Sequence, residues 1–212
     1  MIDRDEPFEN RADEYDAWYE RHRLAYRSEL RALRRLVGRP GRALEVGVGT
    51  GRFAAPLGVA FGVDPAGAML RRARERDVAV VRAVGEELPV GADSLDLVLV
   101  ALTLCFFDAP DRALIEARRV LRPDGRLVLG FLDPTSPPGR RYREESRGPF
   151  YEGARFYPPR RNGRLPPGGR VPDPTGRPDA LRPPVGTQRG GRVAARSWRG
   201  DVRRLRGDSP PS

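Results

Sequence analysis

With 212 residues the chain is long enough for one α/β domain with a sizeable core. Its formal net charge of +10 suggests a nucleic-acid partner, but residues 158–212 hold 13 Arg against 4 Asp, which leaves residues 1–157 at a net +1. A nearly neutral body argues against a broad phosphate-binding face. No run of about 18 uncharged apolar residues offers a membrane span.

Cys105 is the sole cysteine, so no intramolecular disulfide can form, the pattern of a reducing cytoplasm. The opening "MIDRDEPFEN" is acidic and lacks the apolar core of a secretory signal. All 39 basic residues are Arg, the usage expected of a very GC-rich gene.

Along the chain, Tyr15, Trp18, Tyr19, Tyr26, Leu30, Leu33 and Val37 recur at three- and four-residue spacing and predict a helical region over 10–37. "GRPG" at 38–41 ends it. "RALEVGV" at 42–48 reads as a buried strand that enters a Gly-rich turn, and "RFAAPLG" at 52–58 as the start of a helix. "AFGVDP" at 60–65 reads as a strand with an acid at its end, and "AGAMLRRARER" at 66–76 as an amphipathic helix. "VAVVRAV" at 78–84 is a third strand, followed by the loop "GEELPVGAD". "SLDLVLVALTL" at 94–104 is a fourth strand and the longest apolar run. "APDRALIEARRVL" at 109–121 is a helix closed by Pro123 and Gly125, and "RLVLGFLD" at 126–133 is a fifth strand. Strands alternating with helices predict βαβ units and a parallel sheet covered on both faces.

After Tyr157 this pattern stops. Residues 158–212 contain 13 Arg, 11 Pro and 9 Gly and cannot build a periodic apolar face, so they read as an irregular or disordered tail. The domain reading is therefore 1–157, with a helical cap at 10–37, followed by the tail.

The glycine turn "GVGTG" carries the chemistry. Gly47, Gly49 and Gly51 permit tight turning and close approach of a ligand, with helix N-terminal amides next in the chain. A dinucleotide fingerprint wants a third Gly three residues after the second, and that position is Arg52. Glu45, two residues before the first Gly, would repel a pyrophosphate but suits a cationic ligand such as an amino acid's ammonium group.

"LEVGVGTGRF" resembles motif I of the class I methyltransferases that use S-adenosylmethionine (SAM). "GVDPAGAML", "GEELPVGADSLDLVLVALTLCFF" and "ALIEARRVLRPDGRLVLGFLD" resemble that family's later motifs, in order, over residues 10–157. The likeness extends to its small free-standing bacterial members (methyltransferase type 11-like). It implies a Rossmann-like, doubly wound, mostly parallel sheet with helices on both faces. Its cofactor would be SAM and its acceptor a small molecule, with no metal, membrane or nucleic-acid partner.

By the same resemblance Glu45, Gly47, Gly49 and Gly51 surround the methionine part of SAM, and Asp64 accepts the ribose hydroxyls, two donors that one carboxylate can take together. Glu86, with the backbone of Gly85 and Glu87, flanks the adenine, and Met69 packs on it. Thr103 lies at the carboxyl edge of the sheet, and Tyr15 closes over the cofactor. No catalytic residue is obligatory, because the cofactor carries its own leaving group. His22, Tyr15 and Tyr26 are the polar side chains expected near the cap, and residues 133–157 are expected to shape the acceptor site.

Relatives continue past the fifth strand with a helix and two more strands. Here the Arg/Pro/Gly segment stands in their place, so these C-terminal strands are expected to be missing. A shift of reading frame near residue 157 in GC-rich DNA accounts for that composition. The alternatives are a basic arm that makes this a nucleic-acid methyltransferase, or an inactive truncated domain with an open sheet edge.

Overall fold

The computed structural model describes residues 5–133, 140, 149–151 and 154–156, and the backbone of 194–198. The elements run α1 Glu6–Asn10, α2 Ala12–Arg21, α3 Arg23–Val37, β1 Ala43–Val46, α4 Ala54–Leu57, β2 Phe61–Asp64, α5 Gly67–Arg74, β3 Ala79–Arg82, β4 Leu95–Ala101, α6 Pro110–Val120, β5 Leu121–Phe131 and β6 Ala194–Trp198. Short 3₁₀ turns lie at Leu104–Phe106 and Pro149–Tyr151.

The six strands form one sheet in the order β3-β2-β1-β4-β5-β6. β1 to β5 are parallel, and β6 runs antiparallel to β5. Strand order reverses between β1 and β4, so a crevice opens there at the carboxyl ends, the place where open α/β sheets bind ligands.

β4 shows why this sheet needs helices on both sides. Leu97, Leu99 and Ala101 pack with Leu33, Val37, Leu57 and Leu70 on one face. Val98 and Val100 pack with Ala113, Leu114, Ala117 and Val120 of α6 on the other. Leu97, Val98 and Leu99 are wholly buried, as a central parallel strand requires.

α1 precedes the region that the periodicity predicts as one helix over 10–37 and ends at Arg11 (φ −132°); the region itself forms α2 and α3, with a second break at His22 (φ −114°). At the second break the His22 ring stacks on Trp18 at 4.4 Å, and its Nδ1 lies 2.8 Å from Trp18 O. A side chain that takes a backbone partner competes with helix continuation. The helix expected from "RFAAPLG" is only four residues, stopped by Gly58 in the left-handed region. β5 starts earlier than expected. Leu121 already pairs with Leu95, and the chain then bulges through "RPDG" before pairing resumes at Arg126 with Leu97. Arg126 turns its guanidinium onto the open end of α3, donating to Leu36 O at 2.7 Å and Arg39 O at 3.2 Å. A cation there satisfies carbonyls that a helix terminus leaves free.

The tail also differs from the expectation. β6 pairs its backbone with β5 from Leu127↔Trp198 to Phe131↔Ala194, so the edge expected to be bare carries one antiparallel strand. Residues 185–209 contain no Pro, which leaves every amide there able to join a ladder, and the outer backbone of β5 needs partners. The other residues of 158–212 lie outside the described ones.

Candidate functional site

The glycine turn follows β1 at the switch point. Gly47, Gly49 and Gly51 all have positive φ (+71°, +52° and +79°). The need is strictest at Gly47, where a Cβ would stand 2.0 Å from Thr103 Cγ2. At Gly51 a Cβ would meet the Ala73 backbone of α5 at 3.2 Å. The turn is pinned from below by Gly47 N and Val48 N, which donate to Val63 O at 2.8 and 2.9 Å. Thr103 Oγ1 lies 3.1 Å from Gly47 O and 3.0 Å from Ala101 O, so one hydroxyl holds the end of β4 against the start of the turn.

Two buried acids face this turn. Asp64 ends β2 with only 8% of its surface exposed. Its Oδ2 accepts Gly49 N–H at 2.9 Å and its Oδ1 accepts Ala66 N–H at 3.0 Å. Burial pushes its pKa up to about 6, the two amides pull it back, and the carboxylates of Asp5 and Glu9 push it further up. Glu45, in β1, is 1% exposed, and burial raises its pKa well above the carboxylate range. Its Oε2 is buried with no hydrogen-bond partner. An unpaired buried carboxyl oxygen is costly unless a ligand uses it.

The cap closes over them. The Tyr15 ring approaches Gly49, where a Cβ would be 3.8 Å from Tyr15 Cε1. Its hydroxyl lies 2.9 Å from that of Tyr19. Burial raises the Tyr15 phenol, and Asp64, Cys105 and Glu45 all act on its charge, so this ring stands among them. Met69 is 1% exposed and packs with Ala12, Ala66 and Ala68 under Phe8 and Tyr15. Phe8 makes edge contacts with Tyr15 at 5.7 Å and Phe106 at 5.0 Å, and Tyr15 with Phe150 at 5.5 Å.

The fold thus brings Tyr15, Glu45, Gly47, Gly49, Gly51, Asp64, Met69 and Thr103 to one crevice. The Glu86 carboxylate is committed elsewhere, with Oε1 accepting Ala109 N–H at 3.0 Å at the start of α6. Of the remaining polar candidates, His22 is an exposed stack on Trp18, and Tyr26 donates its hydroxyl to Arg52 O at 2.6 Å. Cys105 is buried, and burial pushes its thiol up to about 12.

The motif reading missed Phe8 and Glu9, which lie before the predicted cap. Glu9 Oε2 accepts Ala68 N–H at 3.2 Å in the first turn of α5. It also missed Asp16, which grips Arg52. The signal for that pair was present in "YDAWYE", with acids four residues apart on one helix face.

The residues present fit SAM. A turn of three positive-φ glycines, an orphaned buried Glu45 oxygen and an Asp64 with no ion-pair partner among the described residues suit, in turn, close backbone approach, an ammonium group and ribose hydroxyls. Comparison with known proteins points the same way. The family model described as "Methyltransferase domain" matches residues 44–129. An uncharacterized protein of Methanocaldococcus jannaschii is 39% identical over 150 residues, which cover 70% of this chain and 73% of that protein. An uncharacterized protein of Mycobacterium tuberculosis is 45% identical over 150 residues, 68% of this chain and 52% of its own length, so the chain spans about half of that relative. The crystal structure of a Thermotoga maritima protein, described as a SAM-dependent methyltransferase and possible histamine N-methyltransferase, superposes with a TM-score of 0.69. It is 43% identical and covers 73% of this chain and 74% of that one. The chain belongs to the class I SAM-dependent methyltransferases, an enzyme family whose cofactor is SAM.

Proposed function

We propose that the chain transfers the methyl group of SAM to a small-molecule acceptor held over the carboxyl ends of β4 and β5, in a reducing cytoplasm. The observation that carries the cofactor placement is Asp64, a buried carboxylate at the end of β2 held by Gly49 N–H and Ala66 N–H beside the glycine turn. SAM supplies an electrophilic methyl group on a sulfonium centre. The side chains do the holding. Asp64 orients the ribose. Glu45 receives the ammonium group, whose positive charge favours the ionised acid. Gly47, Gly49 and Gly51 let the backbone approach, while Met69, Tyr15 and the backbone around Glu86 enclose the nucleoside and exclude water. Thr103 fixes the turn beside the acceptor. The acceptor needs only to be held in line at near-attack distance, and a neutral amine or an ionised thiol needs no base.

The same edge of the sheet carries a small apolar depression of about 10 Å³, lined by Leu102, Leu104, Cys105, Phe131, Leu132 and Phe156. The description of the Thermotoga protein as a possible histamine N-methyltransferase agrees with an amine.

Calorimetric titration with SAM, and with its demethylated product S-adenosylhomocysteine, tests the reading. The native chain should bind both. Asp64→Ala should weaken both by roughly a hundredfold, the loss of hydrogen bonds to a charged group. Equal binding by the variant would remove Asp64 from the site.

A further inference from the structure

Helix α2 presents two rows side by side. In "EYDAWYER" Tyr15 and Tyr19 form one row at i, i+4, and Asp16 and Glu20, one position on, form the adjoining row. In the tyrosine row, Tyr15 stands over Gly49 and Tyr19 packs behind it on Phe53. The acid row grips the residue by which the chain leaves that turn. Arg52 Nε donates to Asp16 Oδ1 at 2.8 Å, Arg52 Nη2 to Asp16 Oδ2 at 2.6 Å, and Arg52 Nη1 to Glu20 Oε1 at 2.5 Å.

A second guanidinium completes the clasp. Arg76, just beyond α5, donates through Nη2 to Asp16 Oδ2 at 2.8 Å and through Nη1 to Thr50 O at 2.8 Å, inside the turn itself. Tyr26 adds its hydroxyl bond to Arg52 O at 2.6 Å. Exposed ion pairs contribute little, but this one is a bidentate fork between side chains only 15% and 17% exposed. Burial by itself pushes the Asp16 carboxyl up; the Arg52 hydrogen bonds and the Arg76 charge outweigh it and hold the group at about 2.

We propose that Asp16 is a positioning residue for the cofactor: through Arg52 and Arg76 it fixes the exit of the glycine turn and sets α2 so that the Tyr15 ring stands over Gly49. The clasp acts on binding at a distance from any ligand atom, and it rests on the cofactor placement proposed above.

The same helix supplies a control. Asp13 also joins α2 to α5, accepting Arg72 Nε at 2.8 Å, but its side chain is 78% exposed and its Arg72 pair lies away from the turn. The test is calorimetric SAM binding by the full chain, with thermal melts of the unliganded protein. Asp16→Asn should raise the Kd for SAM about tenfold, the size of coupling between residues in contact, whereas Asp13→Asn should stay within about twofold. Arg52→Lys keeps the charge and loses the fork, so its Kd should fall between the two. It carries the test if Asp16→Asn fails to fold. Combining Asp16→Asn with Tyr15→Ala should cost little more than the larger single loss, because both act through one ring.

A Kd for Asp16→Asn or Arg52→Lys equal to the native value overturns the clasp. So does an Asp13→Asn loss that matches Asp16→Asn, or a double variant whose losses simply multiply. A native chain that binds no SAM overturns the cofactor placement itself, a separate result.

Discussion

Two aspartates stand at opposite ends of the sheet, and both hold backbone amides. Asp64, at the carboxyl end of β2, accepts Gly49 N–H and Ala66 N–H, and the carboxylates of Asp5 and Glu9 disfavour its charge. Asp96, at the amino end of β4, accepts Arg42 N–H at 2.8 Å and pairs with Arg122 Nη1 at 2.7 Å. Asp64 is 8% exposed and has no ion-pair partner among the described residues; the Asp96 side chain is 38% exposed and has one. Asp96 is satisfied by the fold alone, at little desolvation cost. Asp64 is kept in a state that burial disfavours, and a fold retains such a group where a ligand uses it. The polar group at the amino end of this sheet is satisfied by the fold, and the one at the carboxyl end is left as the proposed binding role requires.

The sharpest way to break the carboxyl end is Gly47→Ala. The new Cβ would lie 2.0 Å from Thr103 Cγ2 on a residue at φ +71°, so the turn and the end of β4 must part. Overpacking with left-handed strain should cost about 2–4 kcal/mol and abolish measurable SAM binding. Urea unfolding and calorimetry on the same variant check both.

Asp64→Asn should separate stability from binding. The folded pKa of Asp64, about 6, lies above its ordinary 3.8, so the native state holds the proton more tightly than the unfolded state. Its contribution to stability is full at low pH and is lost as pH rises from about 4 through 6. The neutral amide escapes that loss. That gain is opposed by a lost acceptor, because both Asp64 oxygens accept backbone N–H groups and the amide NH2 must face one of them, a cost of about 1–3 kcal/mol. At pH 7.5 the unliganded variant should therefore stay within about 2 kcal/mol of the native chain, with a flatter stability curve between pH 4 and 6. SAM affinity should fall all the same. A variant that keeps the native slope of stability between pH 4 and 6 would show that Asp64 is not held in a disfavoured ionised state.

What could be read in advance divides along similar lines. β1 to β5 were legible because each is a local apolar run, and the glycine turn because close backbone approach restricts residue choice, whereas Asp64 was marked only by its place at the end of a strand and by the family resemblance. Glu86 illustrates the limit: its loop was recognisable, but the carboxylate caps α6 through Ala109, 23 residues away. The Asp16 clasp draws on Arg52 and Arg76, 36 and 60 residues distant, so only the acid row on α2 was visible beforehand. β6 was hidden because its pairing is dictated by the open side of β5 and not by its own sequence, "AARSW". The split of 10–37 into two helices falls at the Trp18–His22 stack, a contact that three- and four-residue periodicity does not encode.

The smallest expected effect is at the amino end. Asp96→Ala removes the acceptor for Arg42 N–H and the partner of Arg122, and it frees space beside Gly41, where a Cβ would lie 2.7 Å from Asp96 Oδ2. Both partners can turn to water at this partly exposed site, so the loss should be only about 1 kcal/mol. Restoring the pair's surroundings with Asp96→Asn should recover part of it, since an amide oxygen still accepts Arg42 N–H. The Kd for SAM should be unchanged in either variant, because the change sits at the far end of β4 from the glycine turn. Were Asp96→Ala to weaken SAM binding as Asp64→Ala does, the two ends of the sheet would be coupled, and the division between a stabilising end and a binding end would fail.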